Sequence, residues 1–406
     1  MLPITTGAIP RAKPASVSLS FTPFHPTFGR ALPLLHLRGG WSVFRGAMVL
    51  ALVGTILALF PRLGSSQFVP DAPVSQEERT TVVEAAANLL EARYVFPELG
   101  SRMVDSLRLD LQRGAYSRFE GPEELAAAVS QRIRVLSDDG HLWLAVQPEV
   151  EESPTADPSE GPGPDAAQAQ RLQRARANFG FPGVEILAGN VGYLELRQFM
   201  DPALSGETTT AAFSFIRNTE ALLVDLRGSM GGSQAMVAFL VSHLLDDGER
   251  IHLFDSYHRP SGRTDQYWTE GYLPAPRFLE RPVYILTAAR AFSAGEGLAY
   301  ILKHVGRATV VGETTAGGAH PGRFHRLNPR FTMFVAEGRV TSPVTGDNWE
   351  GRGVEPDAMA SSEKALAKAH LLALEHLPDR EAEGPRRGEL ERLVDGLRQG
   401  LRQDLR

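Results

Sequence analysis

Ser293 stands where two hydrophobic patterns meet. Val283, Tyr284, Ile285 and Leu286 form a short apolar run bounded by Pro282 and small residues, which predicts an interior strand. Leu298, Ile301, Leu302 and Val305 then recur at helical spacing, so a helix opens close to the serine. A serine at such a junction can cap the helix by satisfying its unpaired amides. It can also act as a nucleophile, because the N–H groups of Ala294 and Gly295 would face an oxyanion formed there. A hydroxyl is a poor nucleophile near neutral pH, so the second role needs a base close by. Lys303 lies ten positions along the same helix, about 15 Å away at the helical rise, and cannot be that base. The other lysines are Lys13 in the leader and Lys364 and Lys368, on what reads as a solvated C-terminal helix. Histidine becomes a candidate base. His141 sits at the corner where the turn sequence SDDG gives way to the strand-like run Leu142–Val146, a place where a histidine can equally be satisfied by a backbone carbonyl. Asp225, Arg227, Gly228, Gly231 and Gly232 close another strand and open another helix. The paired glycines either bring bare amides up to a ligand or simply make the tight turn.

The longer motifs decide between these readings. ALLVDLRGSMGGS, VYILT with FSAGE, GRATVVGETTAGGAHPG and NWEGRGVEPD follow one another in that order. The succession resembles the C-terminal processing peptidase family of serine peptidases. Within it the likeness is to the branch holding interphotoreceptor retinoid-binding protein repeats and tricorn-core-like bacterial peptidases. It covers about Gln76 to Leu377. The resemblance implies an α/β fold, with a crotonase- or Clp-protease-like spiral core, an N-terminal helical bundle and no PDZ domain. It implies Ser293 as nucleophile, His141 as general base in a GH pair, and Glu350 of NWEGRGVEPD as the acidic member, against the competing acids Glu296, Glu313 and Asp357. An amide of Gly231 or Gly232 and that of Ala294 would form the oxyanion hole. Two positions depart from the pattern. Gly318 takes the place of the lysine of a serine–lysine dyad, and Gly140 stands where tricorn-like enzymes have a serine, a role left to Asp139 or water. His320 in GGAHPG is read as a loop histidine.

The implied activity is a serine endopeptidase that cleaves peptides or unfolded polypeptides through an acyl-enzyme, without a cofactor. The rival readings are a lipid- or retinoid-binding carrier on the same scaffold and a non-catalytic interaction protein. No metal site is expected, since no HExxH occurs and the histidines are scattered singly. A net charge of −6, with no basic stripe interleaved with aromatics, argues against nucleic acid as a partner. With no cysteine, disulfides, thiolate chemistry and a lipoprotein anchor are excluded.

The elements that must position these residues fall into five stretches. Residues 1–66 are a leader, acid-free to residue 47, with a 14-residue apolar run from Ala47 to Phe60 and small residues Gly64, Ser65 and Ser66 beyond it. That run suits a secretory signal peptide and a periplasmic or secreted protein. An uncleaved membrane anchor and an organellar transit peptide are the alternatives, and the leader would be the only membrane contact. Residues 75–148 read as about three helices handing over to a hairpin with His141 at its corner. Residues 149–175 are an acidic linker rich in Pro, Gly and Ala, too short for a PDZ domain. Residues 176–360 alternate strands at 191–196, 222–226, 283–286, 309–311 and 331–335 with helices near 206–217, 233–245 and 294–304, an α/β core. Residues 361–406 read as a solvated helix and tail. The oligomeric state is not legible.

Overall fold

Ser75 caps the first helix, α1 (Gln76–Arg93), its hydroxyl accepting the Glu78 N–H at 3.0 Å. A proline opens each of the next two, α2 (Pro97–Gln112) and α3 (Pro122–Ser137), where its missing N–H is not needed. Asp138, at φ 55°, ends α3, and β1 (Trp143–Val146) follows within a few residues. This computed structural model describes residues 72–146, 164–245, 248–375, 377 and 384–403. The leader, and residues 149–163 of the acidic segment, lie outside the described residues. Among the described residues no helix is long and apolar enough to cross a membrane. The rest of the segment read as a linker departs from expectation. Helix α4 (Pro164–Arg176) occupies it, its described side chains exposed, so it adds little to any core.

Five strands and three helices of the α/β core fall where the apolar runs and helical stripes predict, and further strands join them. After β2 (Gly183–Leu187) come β3 (Val191–Glu195), α5 (Pro202–Ile216), β4 (Ala221–Asp225) and α6 (Gln234–Leu244). The strands β5 (His252–His258) and β6 (Arg263–Trp268) follow, then β7 (Val283–Thr287), α7 (Ala294–His304), β8 (Thr309–Gly312), β9 (Gly322–Arg326), β10 (Phe331–Ala336), β11 (Gly338–Thr341) and β12 (Ala358–Met359). Two helices close the chain, α8 (Ala365–Glu375) and α9 (Pro385–Gln403). The main sheet has the order β12-β8-β7-β4-β3-β2, parallel throughout except for the β2–β3 pair. Its strands are apolar on both faces because both are covered. Leu222, Val224, Val283, Ile285 and Val310 pack with α5, α6 and α7. Ala221, Leu223, Tyr284, Leu286 and Val311 pack with Ala365, Ala369 and Leu374 of α8 and with Leu390 and Val394 of α9. The C-terminal helices therefore cover the sheet rather than standing in solvent. Their small and apolar residues at helical spacing are packing residues.

The hairpin expected after α3 does not form. The partner of β1 is β10, from the far end of the core, in the antiparallel register Trp143↔Phe334 to Val146↔Phe331, and β9 pairs on the other side of β10. Phe331, Met333, Val335 and Ala336 complete the same apolar cluster as Val82, Leu90, Met103, Leu107, Leu125 and Ile133. The N-terminal helices and the core thus share a strand. Glu337, directly after β10, ties the seam with a side chain only 1% exposed. It accepts from Arg93 at 3.0 Å, His325 at 2.8 Å, Arg323 at 2.8 Å and His258 at 3.1 Å. Burial works against its charge, but Arg323, His258 and Arg93 outweigh that and hold its pKa at about 2.

Because the folded pKa is depressed, this stabilisation is complete above the ordinary glutamate range and fades as pH falls towards about 2. Glu337→Gln should cost about 2–4 kcal/mol in urea unfolding at pH 7, by removing the carboxylate that pairs with the Arg93 and Arg323 guanidiniums and accepts from the His258 and His325 rings. The difference from wild type should shrink on acidification below about pH 4.5. Equal stability of the two proteins at neutral pH would contradict this account of the seam.

Candidate active site

Ser293 is the last residue before α7 and has φ 57°, ψ −123°, a conformation that non-glycine residues seldom adopt. The serine and Glu296 have the capping-box arrangement, but the firm bond is the Ser293 N–H donating to Glu296 Oε2 at 2.7 Å. The residue is clamped from the other side by Gly231, at φ 82°, where a Cβ would come within 2.6 Å of Ser293 Cβ. Gly232, at φ 139°, is pressed on Phe199 O, which a Cβ would meet at 2.2 Å. Backbone amides near the serine sort themselves by what they already bind. Gly295 N–H donates to Phe292 O at 3.2 Å and Gly231 N–H reaches Ser229 Oγ at 3.4 Å. Among the described residues those of Gly232 and Ala294 make no hydrogen bond, and both residues line a cavity of about 610 Å³ with Ser293 and His141. Hydrolases of the acyl-transfer class expose a serine on a strained strand-to-helix turn of this kind.

His141 reaches the cavity from the shared-strand side. Ser137 Oγ accepts the Asp139 N–H at 3.2 Å and Asp139 Oδ1 accepts the His141 N–H at 2.8 Å, so the SDDG turn is locked by its own side chains. The imidazole is 5% exposed and lies 4.3 Å, centroid to centroid, from the Phe292 ring. Its Nδ1 is buried without a partner, and no hydrogen bond joins it to Ser293 or Glu350. Burial, only partly offset by the Asp139 charge, pushes its pKa down to about 4. The ring is therefore neutral at pH 7.

Asp139 is buried and accepts from His320 Nδ1 at 2.8 Å and from Tyr94 Oη at 3.2 Å. Burial opposes its charge, yet the hydrogen bond and charge of His320 and the nearby His141 hold it below the ordinary carboxylate range. Glu350 accepts the Ala319 N–H through Oε2, which is also 3.4 Å from His320 Nδ1, while its Oε1 is buried without a partner. Burial, then the Asp139 charge, push the Glu350 pKa up to about 7, against the pull of His320. One donor atom each of Asp139, His141 and Glu350 lies within 4.8 Å of the others.

The structure thus gathers Ser293, Gly232, Ala294 and His141 on one cavity and Glu350 beside His141. The competing acids have other work. Glu313 accepts Ala289 and Ser362 amides, and Asp357 accepts the Val310 amide and pairs with Lys303 at 2.9 Å. Glu296 is fully buried and accepts from Ser293, Thr315, Gly317 and Gly318. Its place three residues after Ser293 is the half of a capping box that sequence spacing alone can show. His320, read as a loop histidine, does lie between strands but is buried in the site. Asp225 and Arg227 form a close pair, at 2.6 Å, that also holds Ser362 O, a structural role.

Comparison with known proteins agrees with the class of site. Residues 190–360 match the model for peptidase family S41, and residues 75–181 match the N-terminal domain of the S41 peptidase in eukaryotic IRBP. The chain belongs to peptidase family S41. It is 29% identical over 176 residues to carboxyl-terminal-processing peptidase 2 of the Arabidopsis thaliana chloroplast, a match covering 43% of this chain and 33% of that relative. The match thus spans about a third of the relative's length. A candidate peptidase from Parabacteroides merdae, solved by crystallography, superposes with a TM-score of 0.51 at 16% identity over 75% of this chain and 99% of its own, and so has the same fold.

Gly318 shows why this site has no room for a lysine. A Cβ there would fall 2.3 Å from Phe292 Cε2 and 2.6 Å from His141 Cε1. Any side chain must push the imidazole or its aromatic neighbour aside. Gly318→Ala should therefore cost about 1–3 kcal/mol of stability, read by denaturant unfolding. An unchanged midpoint would mean that the two rings are not packed against that glycine.

Proposed function

We propose that the chain is a serine endopeptidase acting on peptides or unfolded polypeptides, and that its leader takes it out of the cytoplasm. The observation that carries this reading is Ser293, held at positive φ at the start of α7, on one cavity with His141 and the unbonded amides of Gly232 and Ala294. The Ser293 hydroxyl attacks the scissile carbonyl as His141 takes its proton, and the oxyanion settles on the two amides. His141 returns the proton to the leaving amine, water repeats the sequence on the acyl-enzyme, and Glu350 stabilises the imidazolium. The bare Nδ1 of His141 and the bare Oε1 of Glu350 are suited to that last task, since a charged ring has a proton on Nδ1 to donate. The walls of the cavity, among them Val237, Phe254, Ile301, Val340 and Trp349, favour apolar substrate side chains.

The same apolar wall is the one observation that favours a lipid- or retinoid-binding carrier. A fluorophosphonate probe separates the two. Labelling that disappears in Ser293→Ala supports the peptidase, whereas absent labelling with stoichiometric uptake of fatty acid or retinoid supports the carrier. His141→Ala should lower kcat by a factor on the order of 10² to 10⁴ with the fold intact, and unchanged turnover would remove His141 from the mechanism.

The pH profile assigns the carboxylate. With His141 neutral above about pH 4 and Glu350 ionising at about 7, kcat/KM should rise with pH through about 7. Glu350→Gln should flatten that rise while lowering kcat. A rise that persists unaltered in the variant would place the ionisation elsewhere.

A further inference from the structure

The buried cluster beside Ser293 has two polar atoms without a hydrogen-bond partner, Nδ1 of His141 and Oε1 of Glu350. The His141 side chain is more than nine-tenths buried. Orphans of this kind are rare in a native interior, so a species that bonds to both is expected there. Asp139, His141 and Glu350 each offer a donor atom, all within 4.8 Å of one another. We propose that these three residues bind a Zn²⁺ ion, and that the ion reversibly shuts the active site.

The donor set selects the metal. Calcium and magnesium take oxygen ligands, whereas zinc accepts one imidazole nitrogen with carboxylate oxygens in a four-coordinate shell. Bonds of about 2.0–2.1 Å in a tetrahedron set ligand atoms roughly 3.3 Å apart, so a side-chain movement on the order of 1 Å closes the cluster. The outer partners that zinc carboxylates need are already in place. Tyr94 Oη and His320 Nδ1 donate to Asp139 at 3.2 and 2.8 Å, and the Ala319 N–H donates to Glu350. Of the three ligands His141 lines the cavity, so the ion would enter past the imidazole to the buried donor atoms behind it. With the ion on Nδ1, the ring proton sits on Nε2, which can then no longer accept a proton from Ser293. The inhibition rests on the peptidase reading above; the binding does not.

The test is calorimetric titration of ZnCl₂ into the EDTA-stripped full chain, with peptide turnover followed in parallel. One ion should bind per chain. Asp139→Asn and Glu350→Gln should each weaken binding by at least about tenfold, with far-UV circular dichroism confirming that they fold. Ser293→Ala should bind as wild type does, and so should His325→Ala, which alters the separate histidine–carboxylate cluster at Glu337. Turnover should be lost on adding zinc and restored by EDTA. The proposal is overturned by an absence of saturable binding, as a bridging water alone would give, or by unchanged affinity in both carboxylate variants. A chain that binds zinc as described but hydrolyses no peptide in metal-free buffer keeps the site and loses the peptidase reading.

Discussion

A single buried carboxylate joins the serine turn to the loop that carries the rest of the site. Glu296 takes the Ser293 N–H on one side and the Thr315 hydroxyl and the Gly317 and Gly318 amides on the other. Burial alone raises its pKa, and the four donors pull against that rise. Such charge-assisted bonds in a dry interior are strong and directional. They over-determine the backbone of Ser293, which is how a non-glycine residue can persist at φ 57°. From Gly318 the order propagates along the chain, since Ala319 donates to Glu350 and His320 to Asp139. The serine and the acid are separated by a long stretch of sequence, yet few bonds separate them in space.

The second constraint is the strand shared between the two halves. Three helices cannot close their own core here, and β10 supplies the missing apolar face. Pairing with β10 fixes where β1 runs and so where its first corner, with Asp139 and His141, must sit. Phe292, next to the serine, then packs against the imidazole at a tilt of 34°. His141 is held against the Ser293 turn by a sheet register and a ring contact. Gly140 is already close to Phe292, whose ring a would-be Cβ would meet at 3.4 Å. Asp139, two residues before His141, accepts the His141 backbone amide.

What could be read in the sequence follows from where the signal is local. Strands β3, β4, β7 and β8 of the main sheet and the helices α5, α6 and α7 announce themselves as apolar runs and helical stripes, and the serine junction falls out of two of them, whereas the half-exposed β2 and the two-residue β12 do not. The strands β5, β6 and β9 were missed because they lie at partly solvated surfaces. RTDQYW and GRFHR show no clean alternation to read. The pairing of β1 with β10 is invisible for another reason, since nothing in a four-residue strand names a partner at the other end of the core. His320 looked like a loop residue because its burial depends on Asp139, which that same pairing brings to it. Glu350 was legible only through its motif. Its distance from the imidazole, close but unbonded, is a tertiary fact.

The account stands on Ser293, His141 and the amides of Gly232 and Ala294 converging on one reacting carbon. The direct measurement is a crystal structure of the protein inactivated by a fluorophosphonate. Phosphorus bonded to Ser293 Oγ, with its oxygen on the Gly232 and Ala294 N–H groups and the His141 ring in hydrogen-bonding reach, is the predicted result. An adduct on another residue, or one whose oxygen points away from both amides with the imidazole out of range, would contradict it.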